Sequence, residues 1–310
     1  MIPARILVTG AEGFVGPHLR VALAARFPGA TIIGTGQRPG AGVMLDITDR
    51  AAVFTALAAW QPDVCVHLAG ISAIGQAKAA PGRAWAVNLH GSLNIAEAIL
   101  EGAPGCRMIF VSTAECYGSS FAAGRPLDET AMLNPMNLYA VTKAATELAL
   151  GSLTAQGLRL LRLRPFNHTG PGQSEAFVVP AFAQQIARIE AGLAAPVIKV
   201  GALTPERDFL DVRDVCAAYV ACVEQVDAIP NNQIINIASG RAVRIGLILE
   251  TLLAAARCPI AVEEDPAKLR PVEITRAVGD AGYAQRVLGW QPRIALAETL
   301  QTVLAAARAA

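Results

Sequence analysis

Short apolar runs alternate with longer, helix-like stretches through the first half of the chain. The apolar runs predict strands at residues 6–8, 31–33, 64–68, 108–112 and 158–163, and the stretches between them predict helices near residues 15–26, 51–60, 83–100 and 138–153. Strands that are apolar throughout and alternate with helices are typical of a parallel sheet covered by helices on both faces. The pattern therefore predicts a doubly wound α/β fold.

The pattern changes after Arg164-Pro165. Glycine and proline in residues 166–173 predict a loop, and a helix ending near Ala191 follows it. Later stretches predict strands at residues 197–200, 234–237 and 260–262 and helices at residues 214–226, 246–257 and 295–307. We expect residues 1–165 to form the first domain, with returning segments near 208–237. Residues 166–310 should form mainly a smaller lobe.

The composition limits the classes of protein to which this chain can belong. Of the 310 residues, 53% are hydrophobic and 16% are charged, and the formal net charge is +1. This balance favours neither nucleic acid nor an acidic membrane as a partner. No uncharged apolar run approaches the roughly 18 residues of a membrane span, and no targeting segment is visible. The six cysteines lack a CxxC spacing, which indicates reduced thiols mostly in core positions. We expect a cytoplasmic protein.

Three glycines, Gly10, Gly13 and Gly16, lie between the first predicted strand and the first predicted helix, with Phe14 and Val15 among them. Glycines there let the backbone turn tightly and approach a pyrophosphate, which the N-terminus of the helix then stabilises. A glycine triplet alone also fits a structural turn. Its position directly after a strand and before an apolar helix predicts a dinucleotide site.

Other cofactor-binding positions follow from this placement. The second predicted strand leads to Arg38 and supplies no carboxylate for a ribose 2′-hydroxyl, so Arg38 is available for a 2′-phosphate. NADPH is therefore favoured, with NADH as the alternative. Asp46 and Ile47 are placed to bracket an adenine. A cofactor would also pass close to the backbone after the strand at 64–68, at Leu68, Ala69 and Gly70.

Tyr139 and Lys143 carry the candidate chemistry. They are four residues apart in a predicted helix, so their Cβ atoms lie on one face, about 5–6 Å apart. The ammonium group should favour the phenolate and lower the pKa of Tyr139 from about 10. Upstream, Ser112-Thr113 supplies a hydroxyl pair. Such a tyrosine can exchange a proton with a sugar or alcohol oxygen, although the pair also fits an ordinary amphipathic helix.

The chain resembles the extended branch of the short-chain dehydrogenase/reductase superfamily. The resemblance covers essentially the whole chain and rests on residues in the family's order: the glycine triplet, Asp46, residues 67–69, Asn88, Ser112-Thr113, Tyr117-Gly118, Tyr139 and Lys143. It implies a Rossmann domain with a seven-stranded sheet, a small C-terminal substrate-binding lobe and a nucleotide-sugar substrate. It adds Asn88 to the cofactor site. It also implies a homodimer through a four-helix bundle built from residues 83–100 and 138–153.

A narrower resemblance is to the branch that acts on GDP-4-keto-6-deoxy-mannose, and within it to the reductases that form GDP-D-rhamnose. It rests on residues 134–136, 164–173, 207–209 and 270–273. It implies that Tyr139 protonates the sugar C4 oxygen, that Thr113 hydrogen-bonds to the same oxygen, and that Lys143 assists. A GDP-sugar also needs fixed cations for its diphosphate. The implied substrate-binding residues are Asn167, Val178, Lys199, Arg207, Arg270 and Glu273.

Glu115 leaves the reaction type open. Related GDP-mannose 4,6-dehydratases share Thr113-Ala-Glu115 but usually carry an arginine-rich loop that this sequence lacks. A carboxylate at this position would remove the C5 proton in a dehydratase, bind sugar hydroxyls in a reductase, or serve only the structure. A dehydratase or 4-epimerase with a recycled cofactor is the alternative function. A non-catalytic NADP-binding regulator is disfavoured by the intact Tyr139, Lys143 and Thr113. The histidines form no cluster that predicts a metal site.

Overall fold

The protein is built around a parallel β-sheet of seven strands. The computed structural model describes residues 2–38, 42–269 and 274–310. Its central strands are β1 (Arg5–Thr9), β2 (Thr31–Gly36), β3 (Val43–Met44), β4 (Val64–His67), β5 (Arg107–Val111), β6 (Arg159–Pro165) and β11 (Gln233–Ile237). They lie in the order β11-β6-β5-β4-β1-β2-β3, and every neighbouring pair is parallel. Chain order reverses beside β1, and ligands bind α/β sheets at the carboxyl edge of such a point.

Helices cover both faces of this sheet. They are α1 (Val15–Arg26), α2 (Arg50–Trp60), α3 (Ile74–Ala79), α4 (Pro81–Trp85), α5 (Ser92–Gly102), α6 (Leu138–Leu153) and α8 (Val212–Gln225). The alternation of side chains along β1 shows how the layers are joined, since Ile6 and Val8 pack with α1 and α8. Leu7, between them, packs with α2 and α5 on the other face. The predicted α/β fold is confirmed.

A smaller set of elements packs beside the sheet. Its strands form three short sheets, in which β7 (Asn167–Thr169) pairs with β10 (Phe209–Asp211), β8 (Val197–Val200) with β13 (Ala261–Glu264), and β9 (Glu206–Arg207) with both β12 (Val243–Arg244) and β14 (Arg276–Ala277). Its helices are α7 (Val178–Glu190), α9 (Ile245–Ala254) and α11 (Leu296–Ala309), whereas α10 (Gly282–Leu288) packs against β11 and α8 of the main sheet. Helices α7, α9 and α11 surround their own apolar core.

Two regions differ from the sequence-based prediction. The helix expected over residues 83–100 is divided into α4, a π-helical turn (Ala86–Gly91) and α5. The loop expected over residues 166–173 contains β7, because its backbone pairs with β10, some forty residues further along the chain. The prediction for the thiols is confirmed, since five of the six cysteines are buried and all six are free. Within the described ranges, no helix is both long and apolar enough to cross a bilayer.

Candidate active site

The turn after β1 brings its glycines against neighbouring backbone. Gly10 has a φ of +68°, and a Cβ on it would lie 2.8 Å from the Cα of Ala69. A Cβ on Gly16 would lie 2.5 Å from the carbonyl oxygen of Ala11. The amide of Gly13 donates to the carbonyl of Gly10 at 3.0 Å and so closes the turn. Because side chains are excluded, backbone amides before α1 can approach an anionic ligand closely.

Phe14 connects this turn to the segment that follows β6. Its ring stacks on that of His168, with 6.0 Å between centroids and 11° between planes. His168 Nδ1 donates to the carbonyl of Phe166 at 2.9 Å, and burial lowers the pKa of His168, which favours the neutral ring. His18 Nε2 donates to the carbonyl of Pro171 at 3.1 Å. These ring contacts could not be predicted from the sequence, because no local pattern relates positions so far apart.

A carboxylate lies at the end of β2, although the sequence reasoning found none there. It belongs to Glu12 in the glycine turn, and its Oε1 accepts the amide of Gln37 at 2.9 Å. The expectation that no carboxylate lies at the end of β2 is therefore corrected, since Glu12 reaches the backbone amide of Gln37, the residue before Arg38. Arg38 itself is exposed. Arg83 of α4, which the sequence analysis also missed, donates to the Gln37 side chain at 3.2 Å.

Asp46 and Ile47 lie on the adjoining loop. Burial opposes ionisation of Asp46, but hydrogen bonds from the backbone and hydroxyl of Thr48 lower the pKa of its carboxyl below the usual value, with help from Gln37 and Arg83. The side chain of Ile47 is buried against Gly91. Any contact of Ile47 with an adenine would therefore come from its backbone.

Tyr139 and Lys143 lie on α6 with the predicted spacing, but their electrostatics differ from the prediction. Lys143 Nζ donates to the carbonyl of Val111 and lies 4.3 Å from the centroid of the Phe110 ring. Burial lowers the pKa of Lys143 to about 8. Burial also raises the pKa of half-buried Tyr139, against the opposing effect of a hydrogen bond with Thr113. The expected lowering of the Tyr139 pKa is wrong, because burial raises it and the ammonium group of Lys143 donates to a backbone carbonyl.

Lys143 and Asn88 both lie near Gly70, at the strand end that approaches the glycine turn. A Cβ on Gly70 would lie 3.9 Å from Lys143 Nζ and 3.1 Å from Asn88 Oδ1. Asn88 is buried in the π-helical turn, and its side chain bonds both the amide and the carbonyl of Ile71 and the hydroxyl of Thr142. The amide of Asn88 thus ties the strand end at Leu68–Gly70, where Ala69 meets Gly10, to helix α6.

Thr113 and Glu115 lie just beyond β5. Thr113 is buried, and its hydroxyl accepts the amide of Glu115 at 3.2 Å. Glu115 is half-buried, and Asn137 donates to its Oε2 at 3.3 Å. Because Asn137 also caps α6 through the amide of Ala140, the Glu115 carboxylate is fixed beside the start of the helix that carries Tyr139.

The substrate-binding candidates are distributed over the smaller elements. Asn167 is half-buried in β7, Val178 begins α7, and Lys199 is exposed in β8 opposite Glu263. Arg207 is half-buried in β9, where its guanidinium donates to the carbonyl of Glu206 at 2.9 Å. Arg270 and Glu273 lie outside the described residues.

The chain is similar to known proteins over nearly all of its length. Residues 6–238 match the model of the NAD dependent epimerase/dehydratase family. A GDP-6-deoxy-D-mannose reductase from Pseudomonas aeruginosa is 34% identical over 301 residues, which cover 97% of this chain and 96% of the reductase.

Two solved structures are also similar to this chain over nearly all of its length. RMD from Pseudomonas aeruginosa, complexed with NADPH, superposes with a TM-score of 0.88 at 32% identity and 99% coverage of both chains. A UDP-glucose 4-epimerase from Thermus thermophilus, complexed with NAD, superposes with a TM-score of 0.85 at 26% identity, also with 99% coverage of both chains.

Proposed function

This chain belongs to the NAD dependent epimerase/dehydratase family, and on that premise we propose that it is an NAD(P)H-dependent nucleotide-sugar reductase. Its proposed reaction reduces the 4-keto group of GDP-4-keto-6-deoxy-mannose and yields a GDP-6-deoxyhexose such as GDP-D-rhamnose. The observation that carries the proposal is that the strand end at Ala69 and Gly70 lies close both to Gly10 and to Lys143. Lys143 is one helical turn from Tyr139, which is hydrogen-bonded with Thr113. The 34% identity to a GDP-6-deoxy-D-mannose reductase supports the choice of substrate.

The glycine turn fits a dinucleotide, because a Cβ at Gly10 or Gly16 would fill the space beside its backbone. NADPH, or NADH in its place, supplies the hydride when bound. The residues proposed to hold it are Gly10, Gly13, Phe14, Val15, Gly16, Arg38, Asp46, Ile47, Leu68, Ala69, Gly70, Asn88, Tyr139 and Lys143.

Tyr139 is the proposed general acid. Its raised pKa keeps the phenol protonated at neutral pH, so it can donate to the C4 oxygen as negative charge develops there. Thr113, which is hydrogen-bonded with Tyr139, would donate to the same oxygen. Lys143, with a pKa of about 8, is mostly an ammonium ion at pH 7 and would stabilise nearby negative charge.

The smaller elements are proposed to bind the GDP-sugar through Asn167, Val178, Lys199 and Arg207, with Arg270 and Glu273 completing the set. In this division, residues 1–165 with the returning segments near 208–237 hold the cofactor, and residues 166–310 mainly form the substrate-binding lobe. Arg207 is the residue best suited to the diphosphate, since a guanidinium can bond two phosphate oxygens at once.

Assembly and location are further parts of the proposal. A homodimer would form through residues 83–100 and 138–153 of each copy, and Leu148 on α6 is 65% exposed there. Light scattering of the purified protein should give twice the chain mass, and Leu148→Glu should reduce it to the mass of one chain. A cytoplasmic location is proposed from the free thiols.

Consumption of the reduced cofactor tests the reaction. Added NADPH should lose its absorbance at a one-to-one ratio with GDP-4-keto-6-deoxy-mannose, whereas a dehydratase or epimerase regenerates its cofactor in each turnover. Tyr139→Phe should lower kcat by about 100-fold, because general-acid assistance is lost. Absence of NADPH consumption with this keto-sugar, or an unimpaired Tyr139→Phe enzyme, would refute the assignment.

A dehydratase or 4-epimerase is the second candidate, and the fixed Glu115 favours it. A carboxylate held by Asn137 beside Tyr139 is suitably placed to act as a base. Incubation with GDP-mannose and oxidised cofactor distinguishes the two functions, since a dehydratase would form the keto-sugar without net change in the cofactor. Glu115→Gln would abolish that activity and leave a reductase largely active.

A further inference from the structure

Asp208 lies between two of the candidate substrate-binding segments and is fully buried. It follows Arg207, the last residue of β9, and precedes Phe209, the first residue of β10. Phe209 is opposite Asn167 in the pairing of β10 with β7. A single buried residue therefore joins the strand that carries Arg207 to the strand that pairs with Asn167.

Four donors surround the Asp208 carboxylate. The backbone amide and the hydroxyl of Ser239 donate to Oδ1 at 2.8 and 2.6 Å, and the amides of Gly240 and Gly279 donate to Oδ2 at 2.9 and 3.3 Å. An ionised carboxylate has about four acceptor sites, so these bonds satisfy it and leave it none for a ligand. Asp208 can therefore act on a substrate only through the segments that it holds.

The donors belong to two segments that run between the smaller elements and the central sheet. Ser239 and Gly240 lie between β11, an edge strand of the central sheet, and β12, while Gly279 lies between β14 and α10. A Cβ on Gly279 would lie 2.5 Å from a ring carbon of Phe166, the residue that follows β6. The central sheet therefore fixes the position of Asp208 from two directions.

We propose that Asp208 is a positioning residue for the nucleotide-sugar, which holds Arg207 and Asn167 in place relative to the carboxyl edge of the central sheet. Arg207 donates to the carbonyl of Glu206 in its own strand, so its guanidinium moves with β9 and with the adjoining Asp208. A bidentate bond from a guanidinium to a diphosphate requires such placement. The inference rests on the proposed function, in which Arg207 and Asn167 bind the substrate.

Asp208→Asn tests this role with little change in shape. Whichever way the new amide turns, its nitrogen faces at least one backbone N–H, so at least one hydrogen bond is lost and the junction between β9 and β10 moves. Isothermal titration calorimetry gives the dissociation constants of GDP and of NADPH separately. We expect the dissociation constant of GDP to rise about tenfold and that of NADPH to stay unchanged. A wild-type affinity for GDP in this variant would refute the positioning role.

Asp214→Asn is the matched control. Asp214 is also buried, and its Oδ2 accepts the amides of Arg293 and Ile294 at 3.0 and 2.9 Å, but no candidate substrate-binding residue is adjacent to it in the sequence. Both variants should lower the urea midpoint of unfolding, whereas only Asp208→Asn should weaken GDP binding. Equal losses of GDP affinity in the two variants would overturn the proposal, because Asp208 would then only stabilise the fold.

Substitutions of Ser239 cover the case in which Asp208→Asn fails to fold. Ser239→Ala removes one donor and leaves the carboxylate in place, so the dissociation constant of GDP should rise about threefold. Ser239→Thr keeps the hydroxyl and should not raise it. If the wild-type protein binds GDP and neither Asp208→Asn nor Ser239→Ala weakens that binding, the role of Asp208 is refuted and the proposed function stands. If the wild-type protein does not bind GDP, both proposals are refuted.

Discussion

The helix that carries Tyr139 and Lys143 is anchored by a buried ion pair between Glu147 and Arg164. Breaking this ion pair should strongly lower the free energy of unfolding. Glu147, one turn beyond Lys143, is 0% exposed, and its partner Arg164 at the end of β6 is 3% exposed. Arg164 Nε donates to both carboxylate oxygens at 3.1 Å, and a terminal nitrogen donates to Oε2 at 2.7 Å. Glu147→Gln removes the charge but leaves the guanidinium buried.

The expected cost follows from burial. Removing one partner of a buried ion pair typically destabilises a protein by about 3–5 kcal/mol, because the remaining charge is left uncompensated. Glutamine still offers one acceptor oxygen, so we expect the lower end, about 3 kcal/mol. With an m value of about 3 kcal/mol per molar urea for a chain of this size, the unfolding midpoint should fall by about 1 M.

Arg244 and Glu250 provide a matched control. This pair has the same 2.7 Å nitrogen–oxygen distance, but its side chains are 46% and 57% exposed. Exposed pairs contribute about 0–1 kcal/mol, so Glu250→Gln should move the midpoint by about 0.3 M or less. Urea unfolding followed by circular dichroism compares the variants. If Glu147→Gln lowers the urea midpoint no more than Glu250→Gln does, burial does not explain the contribution of the Glu147–Arg164 pair to stability.

Lys143, on the same helix as Glu147, provides a second readout of the same substitution. Glu147 raises the pKa of Lys143, so its neutralisation should lower that pKa further. The alkaline limb of the activity profile should then move to lower pH in Glu147→Gln and stay in place in Glu250→Gln.

Three further outcomes are expected. Activity should fall above pH 8, where Lys143 loses its proton, and Lys143→Arg should remove this decline from the pH profile of kcat/KM, since arginine stays charged. Gly118→Ala should cost about 3 kcal/mol in urea unfolding, because Gly118 has a φ of +48° and a Cβ there overlaps the carbonyl of Asn134. Gly124→Ala, with a φ of +71° and open space around the new methyl group, should cost about 1 kcal/mol. Arg38→Ala should weaken NADPH binding about tenfold and NADH binding little, and equal effects in equilibrium titrations would refute a contact with the 2′-phosphate.

Parts of the fold and site that depend on local physics were predictable. Continuous apolar runs at residues 64–68 and 108–112 became buried parallel strands, because such runs are stable only when both faces are covered. The glycines after β1 were identified from their position in the chain. The prediction that Tyr139 and Lys143 lie one turn apart on a single helix is confirmed, because their relative position follows from helix geometry alone.

Parts that depend on distant partners were missed. The helix expected at 83–100 is interrupted where Asn88 bonds Ile71 and Thr142. Neither partner is apparent from the helical pattern, and a π-helical turn often marks a functional position. Strand β7 was hidden in a glycine- and proline-rich segment, since pairing with β10 requires a partner outside any local window.

The amino-acid order alone determined the alternating layers, the glycine turn after β1 and the tyrosine–lysine spacing, since each depends on residues within a few positions of one another. Only the tertiary structure decided that Glu12 lies against Gly36 and that Lys143 is directed to Val111. It also decided that burial raises the pKa of Tyr139. Burial and charge act through space, so they depend on which distant segments the fold brings together.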